Sequence, residues 1–467
     1  MKLSDKFLQN DALSPKVDYN HDLDFLGTEI AFAFGSEVAE LEKAKKFPQI
    51  YKFHIGDTGP KTPEPIIEVA IQALKDKQTK YGHYLGYPQV RENIARHWTK
   101  TRGVEIKKEN ILLEPGGKPA IELAIQTLIG KDDQIIVQDP SYPIYASLAN
   151  YYTRGQCLYW KARQNPTDKT LHFDPEDLKN LLAQNPRVKL LFLNTPQNPT
   201  GMVMPRATIE AVADLAKKNK FMVVFDDIYD QIVFEGYKHF SILSVPGMLD
   251  HTINLNGCSK NYAMTGWRVG FVIAPEWVIE IFGQLAVNKW SCLSRFNQIV
   301  AGTIFGDVDL DGFHYPSVAE KIQPILQKDF VEYEKKGKFM SAALKLLEPY
   351  IYCNEAQGAF YLFADFENVL KLKYVNENLK IQSNTDLRQW LLHERGIATL
   401  SGSDFGEMGQ GYMRFSYAED RNNHVIPGAA HLLKVIIELI EKSGLNPPLT
   451  NQQVDEKIKQ LGGKFFS

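Results

Sequence analysis

"NILLEPGGKPAIELAIQTLIG", residues 110–130, decides the fold class. A short apolar run through Leu113 ends in the turn Pro115-Gly116-Gly117, after which apolar residues recur at three and four places. The first pattern buries a strand; the second lays one apolar stripe along a helix. The same rhythm continues down the chain. "QIIVQDP" (134–140), "VKLLFLN" (188–194), "FMVVFDD" (221–227), "HTINLN" (251–256) and "WRVGFVIA" (267–274) read as further strands. "PRATIEAVADLAKKNK" (205–220) fits an intervening helix, entering after Pro205 and ending in lysines that suit the negative C-terminal end of a helix. Strands alternating with helices predict an α/β sheet.

After about residue 320 the rhythm changes. A long helical pattern around 331–350, the run "GAFYLFADF" (358–366), a helix at 385–396, "MRFSYA" (413–418) and a last helix near 427–443 predict a smaller α+β unit. The stretch 28–47 is helical by period and is expected to fold back onto that unit. The stretch 449–467 is expected to be a short exposed helix or a flexible end. No internal repeat or low-complexity tract interrupts this order.

With 467 residues the chain is long enough for one large domain and a satellite. Its net charge of -3 provides no global basic field for nucleic acid or an anionic membrane, so small-molecule partners are favoured. The four cysteines, Cys157, Cys258, Cys292 and Cys353, form no CxxC pair, which argues against a disulfide framework or a zinc site and suits a reducing cytoplasm. Charges break up the apolar residues of the first twenty positions, so no signal peptide is expected, and no uncharged apolar run reaches the length of a membrane span.

Candidate chemistry gathers at strand ends, where open α/β sheets place ligands. In "LNGCSKNYAMTGWRVGF" (255–271) small residues flank Lys260, and Arg268 follows as a second cation. Desolvation or a neighbouring cation yields the neutral amine that nucleophilic chemistry needs, although a lone lysine here also reads as an ordinary loop residue. Asp226 ends an apolar strand. By the period of two, Ile228 shares its face, and the bland reading of Asp226 is a cap or loop carboxylate. In "EPGGKPAIELAIQ" two glycines precede a helix, an arrangement that brings backbone N–H groups to an anion but equally makes a plain turn. No Walker A motif or strand-borne GxGxxG is present. Asn198 in "NTPQNPTG" sits on a stiff backbone, and Tyr142 in "QDPSYPIY" sits on a proline-braced loop; alone, the first is a turn residue and the second a packed aromatic.

Taken in order, "YPQVRENIA", "GGKPAIELA", "NTPQNPTG", "DDIYD", "SKNYAMTGWRVGF" and "MRFSYA" resemble the class I/II aminotransferases of the aspartate aminotransferase superfamily, over about Gly56 to Ala418 and on through the terminal helix. The resemblance implies the pyridoxal-phosphate-dependent transferase fold type I: a large domain with a mostly parallel seven-stranded sheet between helices, plus a smaller α+β domain. It implies an N-terminal segment 1–55 on the small domain, a large domain 56–320, a small domain 321–445 and a tail 446–467. The cofactor it implies is pyridoxal 5′-phosphate, held as a Schiff base by Lys260, which then shuttles a proton in a ping-pong transfer from an L-amino acid to a 2-oxo acid. Asp226 would pair with the pyridine nitrogen, and Asn198 and Tyr229 would bond the ring's phenolic oxygen. Tyr142 and Ile228 would flank the ring. Gly117 and Lys118, through their N–H groups, and Arg268 would hold the phosphate, joined by Tyr81 from a neighbouring subunit, which implies a homodimer. Arg414 would grip the substrate α-carboxylate, with Gly56 and Asn198 beside it.

Two departures from the family pattern stand out. Gly257 replaces a frequent phosphate-binding serine or threonine, a task Ser259 can share, and Asp227 follows Asp226 where glutamate is common. In the less regular stretch 288–302, Arg295 reads either as a cation for an acidic substrate or as a salt-bridge residue. A pyridoxal-phosphate lyase or decarboxylase would use the same core residues, as would a non-catalytic cofactor-binding regulator. Against the regulator stand the intact Lys260, Asp226 and Arg414 and the lack of a basic module in front. "HIGDT" and "QDPSYPIY" resemble the branch containing aspartate and LL-diaminopimelate aminotransferases. No metal, nucleic acid or membrane partner is expected.

Overall fold

The computed structural model describes residues 20–27 and 30–467. Its large sheet contains β1 (Ile111–Glu114), β2 (Gln134–Asp139), β3 (Leu158–Lys161), β4 (Val188–Asn194), β5 (Met222–Asp226), β6 (Thr252–Gly257) and β7 (Gly270–Ile273). Their spatial order is β1-β7-β6-β5-β4-β2-β3. From β6 to β3 neighbouring strands pair in parallel, whereas β7 runs antiparallel to both β6 and β1. The expected mostly parallel seven-stranded sheet is therefore present, and β7 is its antiparallel member. β1, β5, β6 and β7 are buried along their whole length, as strands covered by helices on both faces must be.

Helix α1 (Pro88–Arg102) packs on one face; α2 (Lys118–Leu128) and α3 (Pro143–Thr153) pack on the other. Gly103 closes α1 in the left-handed region, at φ 70°, where a residue without Cβ meets no steric penalty. The strand expected over 267–274 is shorter than its apolar pattern, because Thr265–Trp267 forms a 3-10 turn and Arg268 takes φ 55° before pairing begins.

The smaller unit has the three-stranded antiparallel sheet β8 (Tyr361–Asp365), β10 (Tyr412–Ser416), β9 (Leu400–Ser401), in that order. Against it pack α4 (Ala319–Lys345) and α5 (Ile426–Lys442). The stretch Arg421–Lys442 is long and apolar enough by composition to cross a membrane, but its Leu432, Leu433, Ile436 and Ile437 lie inside this unit's core. The stretch 449–467 is not a flexible end. Thr450 caps α6 (Asn451–Phe466), whose Val454 and Ile458 are buried against the small unit. The N-terminal helix covers Ile30–Ala44, and its Phe34 and Val38 join a core cluster that combines Leu191, Val223 and Phe225 of the large unit with Phe363, Leu392 and Leu400 of the smaller one. Residues 1–19, 28 and 29 of the expected N-terminal segment lie outside the described residues.

Candidate active site

Three parallel strand ends assemble the centre. Register places Asn194, Asp226 and Leu255 side by side on β4, β5 and β6, so that Asn198, the 227–229 turn and Lys260 emerge together. Asp226 is buried; its Oδ2 accepts from the Tyr145 hydroxyl and its Oδ1 from the Ile228 N–H at 3.1 Å. Burial pushes its carboxyl up to about 6, against the pull of those two bonds, and the charge of Asp227 adds to the rise. Because β5 ends at Asp226, strand alternation does not extend to Ile228 as the period of two suggested. The turn instead places the Ile228 side chain near Gly257, 3.5 Å from where a Cβ would stand.

Lys260 follows β6 in a turn closed by the Met264 N–H donating to the Ser259 carbonyl at 3.1 Å. Ser259 is itself buried. The Lys260 amine donates to the Gly56 carbonyl at 2.6 Å and lies 5.8 Å from the centre of the Phe360 ring. A Cβ at Gly257 would come within 2.9 Å of Val269 O and Gly270 Cα, so backbone closeness accounts for glycine at this departure from the family pattern.

The anion cup lies at the start of α2. Gly117 is the N-cap, no side chain caps the helix, and Lys118 is the first helical residue, so the positive end of the helix dipole lies at this turn. Gly116 has φ +85°, and a Cβ there would overlap the Arg268 guanidinium, which reaches the turn while donating to Thr265 O at 2.9 Å. Glu114 is fully buried beneath the cup. Burial pushes its carboxyl well above the usual carboxylate range, against the pull of the Ala120 N–H and the Arg268 charge.

Arg414 on β10 is 2% exposed. It donates to the His54 carbonyl at 2.7 Å and to Asn198 Oδ1 at 3.0 Å, with the Tyr361 ring at 4.5 Å and the Phe405 ring at 5.0 Å. Since the Asn198 oxygen is engaged, its NH2 is the end that can donate to a ligand oxygen. The Tyr229 and Tyr361 hydroxyls lie 3.0 Å apart. Tyr142 is the N-cap of α3 and meets Tyr145 edge to face at 5.5 Å.

Within one chain, contacts thus bring Lys260, Gly56, Asp226, Ile228, Tyr229, Asn198 and Arg414 together, with Gly117, Lys118 and Arg268 forming the cup. Tyr81 is not among them; it is 84% exposed. Arg295 pairs with Asp311 and lies over the Tyr87 ring. Sequence reasoning missed Tyr145 and Tyr361. Tyr145 carried a signal, since it stands three places after Tyr142 at the start of a helix; Tyr361 reads as one more apolar strand residue. Among the described residues no group of His, Cys, Asp and Glu could hold a metal.

The residues fit pyridoxal phosphate. A glycine-only helix terminus beside Arg268 suits a phosphate, a buried acid short of positive charge suits a protonated ring nitrogen, and Lys260 supplies the amine. The family model for aminotransferase class I and II matches residues 50–426. An aspartate aminotransferase of Sulfurisphaera tokodaii is 30% identical over 405 residues, covering 86% of this chain and 94% of that protein. An aromatic-amino-acid aminotransferase of Thermococcus litoralis is 29% identical over 387 residues, covering 82% and 91% respectively. The solved aspartate aminotransferase from Thermus thermophilus with maleate superposes at a TM-score of 0.78 with 25% identity, covering 90% of this chain and all of that one. The chain therefore belongs to the class I and II aminotransferases and is a pyridoxal-phosphate-dependent transaminase of fold type I.

Proposed function

We propose that the protein moves the α-amino group of an L-amino acid to a 2-oxo acid in two half-reactions at the site built around Lys260. Bound pyridoxal phosphate supplies an aldehyde carbon that takes up amines and a cationic ring that accepts electrons. Asp226 keeps that ring nitrogen protonated, and its own high pKa falls once a cation faces it. The Asn198 NH2 and the Tyr229 hydroxyl would hold the cofactor's ring oxygen, and Tyr142 and Ile228 would pack against its ring. The N–H groups of Gly117 and Lys118, with Arg268 and Ser259, hold the phosphate. Arg414 and Gly56 orient the substrate carboxylate, and the Lys260 amine carries the proton to and from the α-carbon.

The observation that carries this reading is the Lys260–Gly56 hydrogen bond, which brings the reactive amine to the loop assigned to the substrate carboxylate. The test mixes the purified, cofactor-loaded protein with single amino donors, including aspartate and aromatic amino acids, and follows the cofactor absorbance. Conversion to the cofactor's amine form, reversed by a 2-oxo acid, is expected. Release of ammonia or a substrate fragment without that reversal would identify a lyase instead.

We also infer a homodimer, in which the exposed Tyr81 serves the neighbour's phosphate site; a monomer by sedimentation at working concentration would refute it. A core cluster drawn mainly from residues after 333 supports domain limits near 56–320 and 321–445, with α6 added to the small domain. Four free cysteines, three of them buried, support a cytoplasmic location.

A further inference from the structure

Behind the candidate active site lies a buried ionic cluster that the proposed chemistry does not use. Arg102, at the end of α1, points its Nη2 at both Asp230 Oδ2 and, at 3.4 Å, Asp227 Oδ2. The Asp227 side chain is wholly buried, that of Asp230 is 6% exposed and that of Arg102 13%. Each acid is also tied to the Lys260 segment. Asn256, on β6, donates to Asp227 Oδ1 at 2.9 Å, and Asn261, next to Lys260, donates to Asp230 Oδ1 at 2.7 Å. The Asp227 N–H donates to the Leu255 carbonyl at 3.3 Å, and His239 stands 3.5 Å from Asp227.

These contacts connect particular positions. Asp227 is the covalent neighbour of Asp226, Asp230 that of Tyr229, and Asn261 that of Lys260. We propose that Arg102 is a positioning residue for amino-group transfer: by joining Asp227 and Asp230 to one guanidinium, it sets the spacing between the backbone segments that present Asp226 and Lys260. The inference rests on the reading of Asp226 and Lys260 given above. One guanidinium nitrogen, Nη2, bridges the two carboxylates, and without it two buried acids would face each other with Asn254, Asn256, Asn261 and His239 as their remaining side-chain partners.

The test compares Arg102→Met, Arg102→Lys and Asn261→Ala with the wild-type holoenzyme. Thermal unfolding, pyridoxal phosphate affinity, the pH midpoint of the cofactor absorbance and the split between kcat and KM are measured for each. Arg102→Met is expected to lower kcat by about 100-fold, as misplacement on the order of 1 Å can, while KM for the donor changes little. Cofactor affinity falls and the pH midpoint moves. Arg102→Lys recovers only part of the loss, since its ammonium ends one bond short of the Nη2 that touches both acids, and Asn261→Ala shifts the midpoint in the same direction. An Arg102→Met protein with wild-type kcat, affinity and midpoint but a lower unfolding temperature would overturn the proposal. Should Arg102→Met not fold, Asn261→Ala decides: a reduced kcat supports it, an unchanged kcat and midpoint sink it. Borohydride reduction of the wild-type holoenzyme separates this from the parent reading. A label on any amine other than Lys260 refutes the parent reading, whereas a label on Lys260 with inert Arg102 and Asn261 variants refutes only the positioning role.

Discussion

The amine of Lys260 donates to the backbone carbonyl of Gly56 at 2.6 Å, across 204 positions of the chain. That bond joins the turn after β6 to the loop that leads from the N-terminal region into the large unit. It holds the amine in place through a backbone atom of a loop, outside the packed apolar core.

Lys260→Ala is accordingly expected to fold like the wild type and to lose turnover by on the order of 10⁴-fold. Circular dichroism checks the fold. Mass spectrometry after borohydride reduction and digestion should find no cofactor-bearing peptide at residue 260.

Arg414 makes its hydrogen bonds with the Asn198 side chain and the His54 backbone while stacked between aromatic rings, away from the phosphate cup. Arg414→Ala should retain the cofactor and require about a hundredfold more donor, corresponding to roughly 3 kcal/mol of lost charge-assisted bonding. Arg414→Lys should recover little of this, because an ammonium cannot make the forked contact. Steady-state kinetics with cofactor content measured in parallel checks both. Loss of cofactor with unchanged donor affinity would contradict the assignment.

Asp226 gives a pH prediction for the cofactor-free protein. Its folded pKa of about 6 lies above the ordinary 3.8, so the folded state holds the proton more tightly than the unfolded state. The resulting destabilisation is fully present above pH 6 and is relieved as pH falls through 6 towards 4. A difference of about two pH units corresponds to roughly 3 kcal/mol. Cofactor-free Asp226→Asn should therefore be the more stable protein at pH 7, by up to about that amount, with the gap closing near pH 4. With cofactor the order reverses, since the amide cannot neutralise a ring cation. Denaturant titrations at several pH values read both effects.

Tyr361 shares a hydroxyl contact with Tyr229. Removing that hydroxyl in Tyr361→Phe leaves the ring over Arg414, so stability should change by no more than about 1.5 kcal/mol. Turnover should fall by about tenfold, because Tyr229 loses the partner that orients its own hydroxyl. A kcat equal to the wild-type value would remove Tyr361 from the site.

Gly116→Ala combines a left-handed backbone at φ +85° with a Cβ that overlaps Arg268. The backbone cost is roughly 1–2 kcal/mol, and displacement of the guanidinium should weaken pyridoxal phosphate binding at the same time. Equilibrium dialysis and thermal unfolding of the variant test the two effects separately.

How much of this was legible beforehand differs between fold and site. The alternation of apolar runs and helical stripes is a local property, because burial of a segment shows in its own spacing; hence the α/β class and the smaller α+β unit were readable. Motif order around Lys260, Asp226 and Arg414 identified the family for the same reason, since each motif is contiguous. Local pattern failed where a segment's state depends on what it meets. The period of two was carried past Asp226, where the strand stops. The stretch 449–467, polar for most of its length, carried no sign that Val454 and Ile458 would dock on the small unit.

Tertiary structure alone decided the partners. Tyr145 under Asp226, Tyr361 beside Tyr229, the Gly56 carbonyl on Lys260 and the Arg102 cluster behind them each join residues from separate elements. Such choices turn on which distant surfaces pack together and which buried polar groups then need a bond. Apolar spacing records only that a side chain goes inside. It does not record what the side chain finds there.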